Sequence, residues 1–127
     1  MNQDMKYTTI IDIVKERFPE IQEHEECKFI DDETPYLFFP AFWKLLELCL
    51  TGVINDNCLR DRILDFMEEM AVCDDSKVVE LMAVEMLEPL FGLKYETYPE
   101  VTFRLLRPQT LQLHKKQLPF FNVPQPH

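Results

Sequence analysis

Between its prolines the chain repeats apolar residues at helical spacing, and it has almost no glycine to interrupt them: nine prolines and two glycines in 127 residues. Tyr7, Ile10, Ile11, Val14 and Phe18 make one stripe, which predicts a helix over about Asp4–Phe18, ended by Pro19. Pro40 reads as a first-turn proline of a second helix running to about Thr51, with Gly52 as its stop. Phe38, Phe42, Leu45, Leu46, Cys49 and Trp43 would form its core face. Asn55-Asp56-Asn57 offers caps for a third helix to about Val72. Leu59, Ile63, Phe66, Met67 and Met70 are its apolar stripe, with Asp61, Arg62, Asp65, Glu68 and Glu69 outside. Asp74-Asp75-Ser76 caps a fourth, about Ser76–Leu87, on Val79, Met82, Ala83, Met86 and Leu87. Pro89 and Gly92 close that helix, and Pro99 and Pro108 open two short ones near Glu100–Leu106 and Gln109–Leu118. Leu93–Tyr98 could be extended, but a lone strand has nothing to pair with. The expected fold is all-α: one compact domain, residues 1–127, of five to six helices in antiparallel pairs. A chain of this length suits one core and needs no disulfide or metal to hold it.

Charge is unevenly distributed. The net charge is −10, and all 23 acidic residues lie in the first 100 positions. The last 27 carry only Arg104, Arg107, Lys115 and Lys116. The densest block contains Glu20, Glu23, Glu25, Glu26, Asp31, Asp32 and Glu33 against the single Lys28. Such a block repels nucleic acid and phosphorylated ligands and attracts a basic protein surface. Its plain reading is a solvated loop that keeps the protein soluble. The flanking Phe29, Ile30, Tyr36 and Phe39 favour an interface, which combines aromatic anchors with charge. The basic C-terminal part either docks on the acidic body or forms a second binding patch. The segment Leu118–His127, with Phe120, Phe121 and Val123 in a proline-rich frame, either covers a core edge or is offered to a partner.

Catalytic chemistry finds little support. Ser76, the one serine, stands where a helix cap belongs and lies in no G-x-S-x-G motif. Cys27, Cys49, Cys58 and Cys73 have no C-x-x-C spacing, and Cys27 sits among acids that blunt a thiol. His24, His114 and His127 belong to no metal-ligand pattern, and Asp31-Asp32-Glu33 lacks calcium-loop spacing. With only Gly52 and Gly92 there is no phosphate-cradling loop. Met67, Met70, Met82 and Met86 fit core packing, with a groove for a partner helix as the other reading. No cofactor and no enzymatic activity are expected. The absence of a 20-residue apolar run or a secretory signal, together with unpaired cysteines, points to a reduced cytoplasmic protein that contacts neither membrane nor nucleic acid. The oligomeric state is left open.

Residues 36–91 resemble a family of small acidic bacterial helical proteins of the toxin-immunity type. The resemblance is carried by Leu37-Phe38-Phe39, Leu45-Leu46-Glu47-Leu48, Leu64-Asp65-Phe66-Met67-Glu68-Glu69-Met70, and the run from Asp74-Asp75 through Val79-Glu80-Leu81-Met82-Ala83-Val84-Glu85-Met86-Leu87-Glu88. It does not extend to the C-terminal third. It implies an inhibitor that binds a cognate toxin, often a basic nuclease whose site is built for phosphate. The contact surface expected on that reading is Glu20, Glu23, Glu25, Glu26, Asp31, Asp32 and Glu33, with Tyr36 or Phe39 as apolar anchors. The other reading is a non-enzymatic helical adaptor or regulatory binding protein.

Overall fold

A computed structural model of the chain describes residues 5–29 and 31–120. Its described residues form seven α-helices and no strand. They are α1 (Ile10–Arg17), α2 (Glu20–Glu23), α3 (Pro35–Leu50), α4 (Asn57–Ala71), α5 (Ser76–Met82), α6 (Thr97–Glu100) and α7 (Pro108–Gln117). A 3-10 turn, Glu25–Cys27, follows α2. Both α5 and α6 continue into wide π-type turns, Ala83–Leu87 and Val101–Leu105. In these the amide of Glu88 reaches Ala83 O, and that of Leu106 reaches Val101 O, one residue further than in an α-helix.

The core is built where α1, α3 and α4 meet. Phe18, Phe42 and Phe66 form an aromatic triangle with centroid separations of 4.9, 5.4 and 5.8 Å. The contacts are tilted or edge-to-face, the arrangements aromatic quadrupoles favour. Arg17 lies 5.2 Å over Phe66 and Arg62 lies 5.3 Å over Phe18. Their guanidinium groups then pair with Glu69 at 2.8 Å and Glu20 at 2.9 Å. The aromatic cluster is thus covered by two cations, each tied to a carboxylate on another element.

Several boundaries differ from the sequence expectation. Helix α1 begins at Ile10, not near Asp4, because residues 7–9 form a turn closed by the Thr9 amide on Lys6 O and the Lys6 amide on Thr9 Oγ1. The Tyr7 amide is taken by Asp75 Oδ2 at 2.8 Å and so leaves the helix. Asp4 itself lies outside the described residues. Helix α3 starts five residues before Pro40, with Pro35 at its first position and Pro40 inside. An interior proline costs about 3 kcal/mol. Burying Phe38, Phe39 and Phe42 completely offsets it, at roughly 1.5–3 kcal/mol for each side chain. On α5 the buried valine is Val78, and Val79 is only half-buried. Residues 93–96 make no strand, and Thr97 and Tyr98 open α6. Elsewhere the expected signals hold: the Asp56 side chain caps α4 through the Leu59 amide, Asp75 caps α5 through that of Lys77, and Gly52 ends α3 at φ 84°.

The C-terminal part docks on α4. Arg107 pairs with Asp65 at 2.8 Å and with Asp61 at 3.8 Å. Glu68 accepts from the Gln109 and Thr110 amides at 2.9 Å each, so a side chain of α4 caps the N-terminus of α7. Lys115 and Lys116 remain exposed. The expected fates of Phe121 and Val123 fall outside the described residues, as does the side chain of Phe120.

Candidate functional site

Segment 20–33 runs past α2 and the turn Glu25–Cys27 to the N-terminus of α3, and the structure divides its acids into two groups. Glu20, Asp31 and Asp32 are engaged within the protein. Burial is the largest influence on the Glu20 pKa and raises it, but the hydrogen bond and charge of Arg62 and a backbone hydrogen bond together hold the carboxyl below its ordinary value. Asp32 accepts from Lys15 Nζ at 2.8 Å, which also keeps its carboxyl low. Asp31 Oδ1 accepts the amides of Glu33 and Thr34 and so shapes the entry to α3. By contrast Glu23, Glu25, Glu26 and Glu33 are exposed and make no ion pair among the described residues.

Two shallow clefts flank these free carboxylates. One, of about 420 Å³, is lined by Ile21, Cys27 and Phe29 with Glu23 and Glu25 at its rim. The other, of about 430 Å³, lies between the start of α1 and the residues before α3, with Tyr7, Ile11 and Pro35 as apolar walls. Its acids are Asp12, Asp32 and Glu33. Asp12 was not among the residues expected for this surface. It stands eight positions before the acidic block, and nothing in its neighbourhood distinguishes it in the sequence.

The expected aromatic anchors separate. Phe39 is fully buried, in edge-to-face contact with Phe38 and Phe42, and so cannot reach a partner. Tyr36 is half-buried beside Tyr7, with ring centroids 6.3 Å apart. Its hydroxyl pKa is raised first by burial and then by charges that include Glu80, Glu85 and Glu88. A further group of carboxylates, on α5 and the turns that follow, therefore acts on Tyr36. Leu37, next in the chain, is 40% exposed and supplies the apolar surface that Phe39 does not.

A second polar constellation was invisible in the sequence. Tyr98 Oη and His114 Nε2 are 2.8 Å apart, and His114 Nδ1 lies 3.1 Å from Gln117 Oε1. Gln117 Nε2 donates to Ala83 O at 3.0 Å. Because that bond fixes the amide orientation, Gln117 Oε1 is an acceptor, and His114 carries its proton on Nδ1. Nε2 then accepts from the Tyr98 hydroxyl. Phe91 stacks on the imidazole at 4.5 Å, and burial pushes the His114 pKa down. The whole chain of hydrogen bonds ties α6 and α7 to the wide turn after α5. Thr102, 2% exposed, has a hydroxyl with no hydrogen-bond partner among the described residues.

Burial raises the thiol pKa of Cys27 and pushes that of Cys49 up to about 11. Cys73 donates its thiol to Met5 O. Among the described residues no three His, Cys, Asp or Glu side chains are placed to hold a metal ion, and no helix is long and apolar enough to cross a membrane.

The described residues form an all-α domain. The chain belongs to the family described as a domain of unknown function, DUF7674, whose model matches residues 11–122. That match runs through the C-terminal helices, well beyond the region in which the resemblance to immunity proteins was found, and it names no toxin-immunity family. No curated protein and no solved structure matches the chain.

Proposed function

We propose that the chain is a non-enzymatic binding protein whose acidic face engages a basic partner, and that this partner is a toxin domain, a nuclease by preference, neutralised by stoichiometric association in the cytoplasm. The observation that supports this reading is the set Glu23, Glu25, Glu26 and Glu33: exposed, in no ion pair among the described residues, and placed beside two clefts with apolar walls. Carboxylates that stabilise the fold are found paired, as on α4. Carboxylates left free at this density cost the folded state some self-repulsion, and a cationic surface relieves it. The same field steers a basic protein into encounter, with on-rates raised about 10- to 1000-fold at low salt. Tyr36 and Leu37 provide apolar area at the edge of that field, where removal of water strengthens each charge contact. Against a nuclease, the carboxylates occupy positions that substrate phosphates would take.

The test is a tagged pull-down from the native cell, washed at low and then high salt, followed by co-expression of the captured protein with this chain. The expected result is a basic protein recovered near one-to-one and lost from a variant carrying Glu23→Lys, Glu25→Lys and Glu26→Lys. That protein is toxic alone and harmless with the wild-type chain. A neutral or acidic partner that survives high salt and ignores these substitutions would overturn the proposal.

A further inference from the structure

We propose that the Tyr98–His114–Gln117 chain is a pH-sensitive latch, which fastens the C-terminal end of α7 to the wide turn Ala83–Leu87 and opens when His114 takes up a second proton. The ring is fully buried, and both of its nitrogens are committed. Nδ1 donates to Gln117 Oε1 at 3.1 Å, and Nε2 accepts from Tyr98 Oη at 2.8 Å. The far end of the chain is Ala83 O, which accepts from Gln117 Nε2 at 3.0 Å and from the Glu88 amide as well. One carbonyl thus receives both the closing bond of the wide turn and the bond that holds α7 against it. A second proton can enter the ring only at Nε2, where the Tyr98 hydroxyl points its hydrogen. That hydroxyl must then turn away, and a cation stands in a site built for a neutral ring.

The charged groups on the surrounding elements are engaged elsewhere. Tyr98 touches the ring from α6, and the Thr102 hydroxyl beside it is neutral. Glu100 and Arg104, on α6 and its wide turn, pair with each other at 3.5 Å. On α4, Asp61 and Asp65 hold Arg107, and Glu68 caps α7 at the end remote from Gln117. Glu85 and Glu88 act on Tyr36, and Lys115 and Lys116 are exposed. Burial lowers the His114 pKa, the Gln117 bond raises it by less, and none of these charges contributes. Opening admits water to the ring and so favours the imidazolium. The latch is therefore fully fastened above the ordinary histidine value of about 6.5 and loosens as pH falls from there through the lowered folded value. The opening is local, because Glu68 and Arg107 fasten the N-terminal end of α7 separately.

The proposal is tested by NMR on the full, isotope-labelled chain between pH 7 and 5, reading the His114 ring nitrogens and the amide exchange corrected for its intrinsic pH dependence. At pH 7 the ring should be neutral with its proton on Nδ1. At pH 5 protection should fall about tenfold at the amides of residues 113–117 and of Glu88, while Thr110 and the amides of α4 stay within about twofold. His114→Gln should lose this pH response, whatever protection it starts from. Tyr98→Phe removes the donor that favours the neutral ring and should move the opening to higher pH. A ring that takes its second proton at or above about 6.5, protection at residues 113–117 that holds at pH 5, loss spread equally through α3 and α4, or an unchanged response in His114→Gln would each overturn the latch. The first measurement uses the wild-type chain, so a variant that fails to fold leaves the test intact.

Discussion

The flank of α4 and the segment 20–33 are both rich in acids, yet their carboxylates are matched to different extents. On α4, Asp61 and Asp65 hold Arg107, Glu68 caps α7, and Glu69 holds Arg17 over the aromatic triangle. On the segment, Glu20 and Asp32 serve the fold in the same way, but Glu23, Glu25, Glu26 and Glu33 do not. Charge density therefore does not identify a binding surface. The surface proposed here is marked instead by the density of carboxylates left over once the internal cations and helix ends have been matched.

The largest effect that bears on this contrast concerns the anchors. Phe39→Ala should cost about 3–5 kcal/mol of unfolding free energy, as a core truncation does, whereas Leu37→Ala should stay within about 0.5 kcal/mol. Chemical denaturation measures both, and a mild Phe39 variant would return that ring to the list of surface anchors.

Next comes the α7 cap. Glu68→Ala should cost about 1 kcal/mol and raise amide exchange at Gln109 and Thr110 in particular, while Glu26→Ala leaves both unchanged. Similar costs for the two substitutions would erase the distinction between matched and unmatched acids.

On acidification from neutral pH the ionisation of His114 is the informative one. Burial disfavours charged His114, so the unfolded chain binds this proton more readily than the folded one. The contribution is fully present above the ordinary histidine value of about 6.5 and is lost as pH falls from there through the lowered folded pKa. Glu20, also lowered, loses its contribution in a separate window below the ordinary carboxylate value. Thermal melts across pH 7 to 5 should therefore decline in the wild type and flatten in His114→Gln.

The smallest change in stability belongs to the free acids. Reversing Glu23, Glu25 and Glu26 together should move unfolding free energy by no more than about 0.5 kcal/mol. A large loss would show that these carboxylates hold the fold after all.

Helix α4 was legible in the sequence because every local signal agreed there: the Asp56 cap, the Leu59-to-Met70 stripe and the stop at Val72. The start of α3 was not legible. Pro35 and Pro40 are both admissible first-turn prolines, and only the burial of Phe38 and Phe39 decides between them. The valine on the core side of α5 was misassigned because the wide turn at Ala83 adds a residue, so one 3.6-residue period cannot join Val79 to Leu87. At the candidate site the acids were visible as composition, but their division into matched and free was not. Lys15 and Arg62 reach Asp32 and Glu20 across 17 and 42 positions. Asp12 and the Tyr98–His114–Gln117 chain were missed for the same reason, since tertiary folding alone brings them to their neighbours.

The wide turn at Ala83–Leu87 also bears on how the chain tolerates changes in its length. A π-type turn holds one residue more than an α turn over a similar rise. Deleting Val84, which is half-buried, should close the turn to ordinary helical geometry and keep Met86, Leu87 and Leu90 on the faces they occupy, a change that chemical denaturation would register as a small loss. The same deletion within α4 would swing every later side chain by about 100° and empty the aromatic triangle. One helix of this protein carries a spare residue, and the other can lose none.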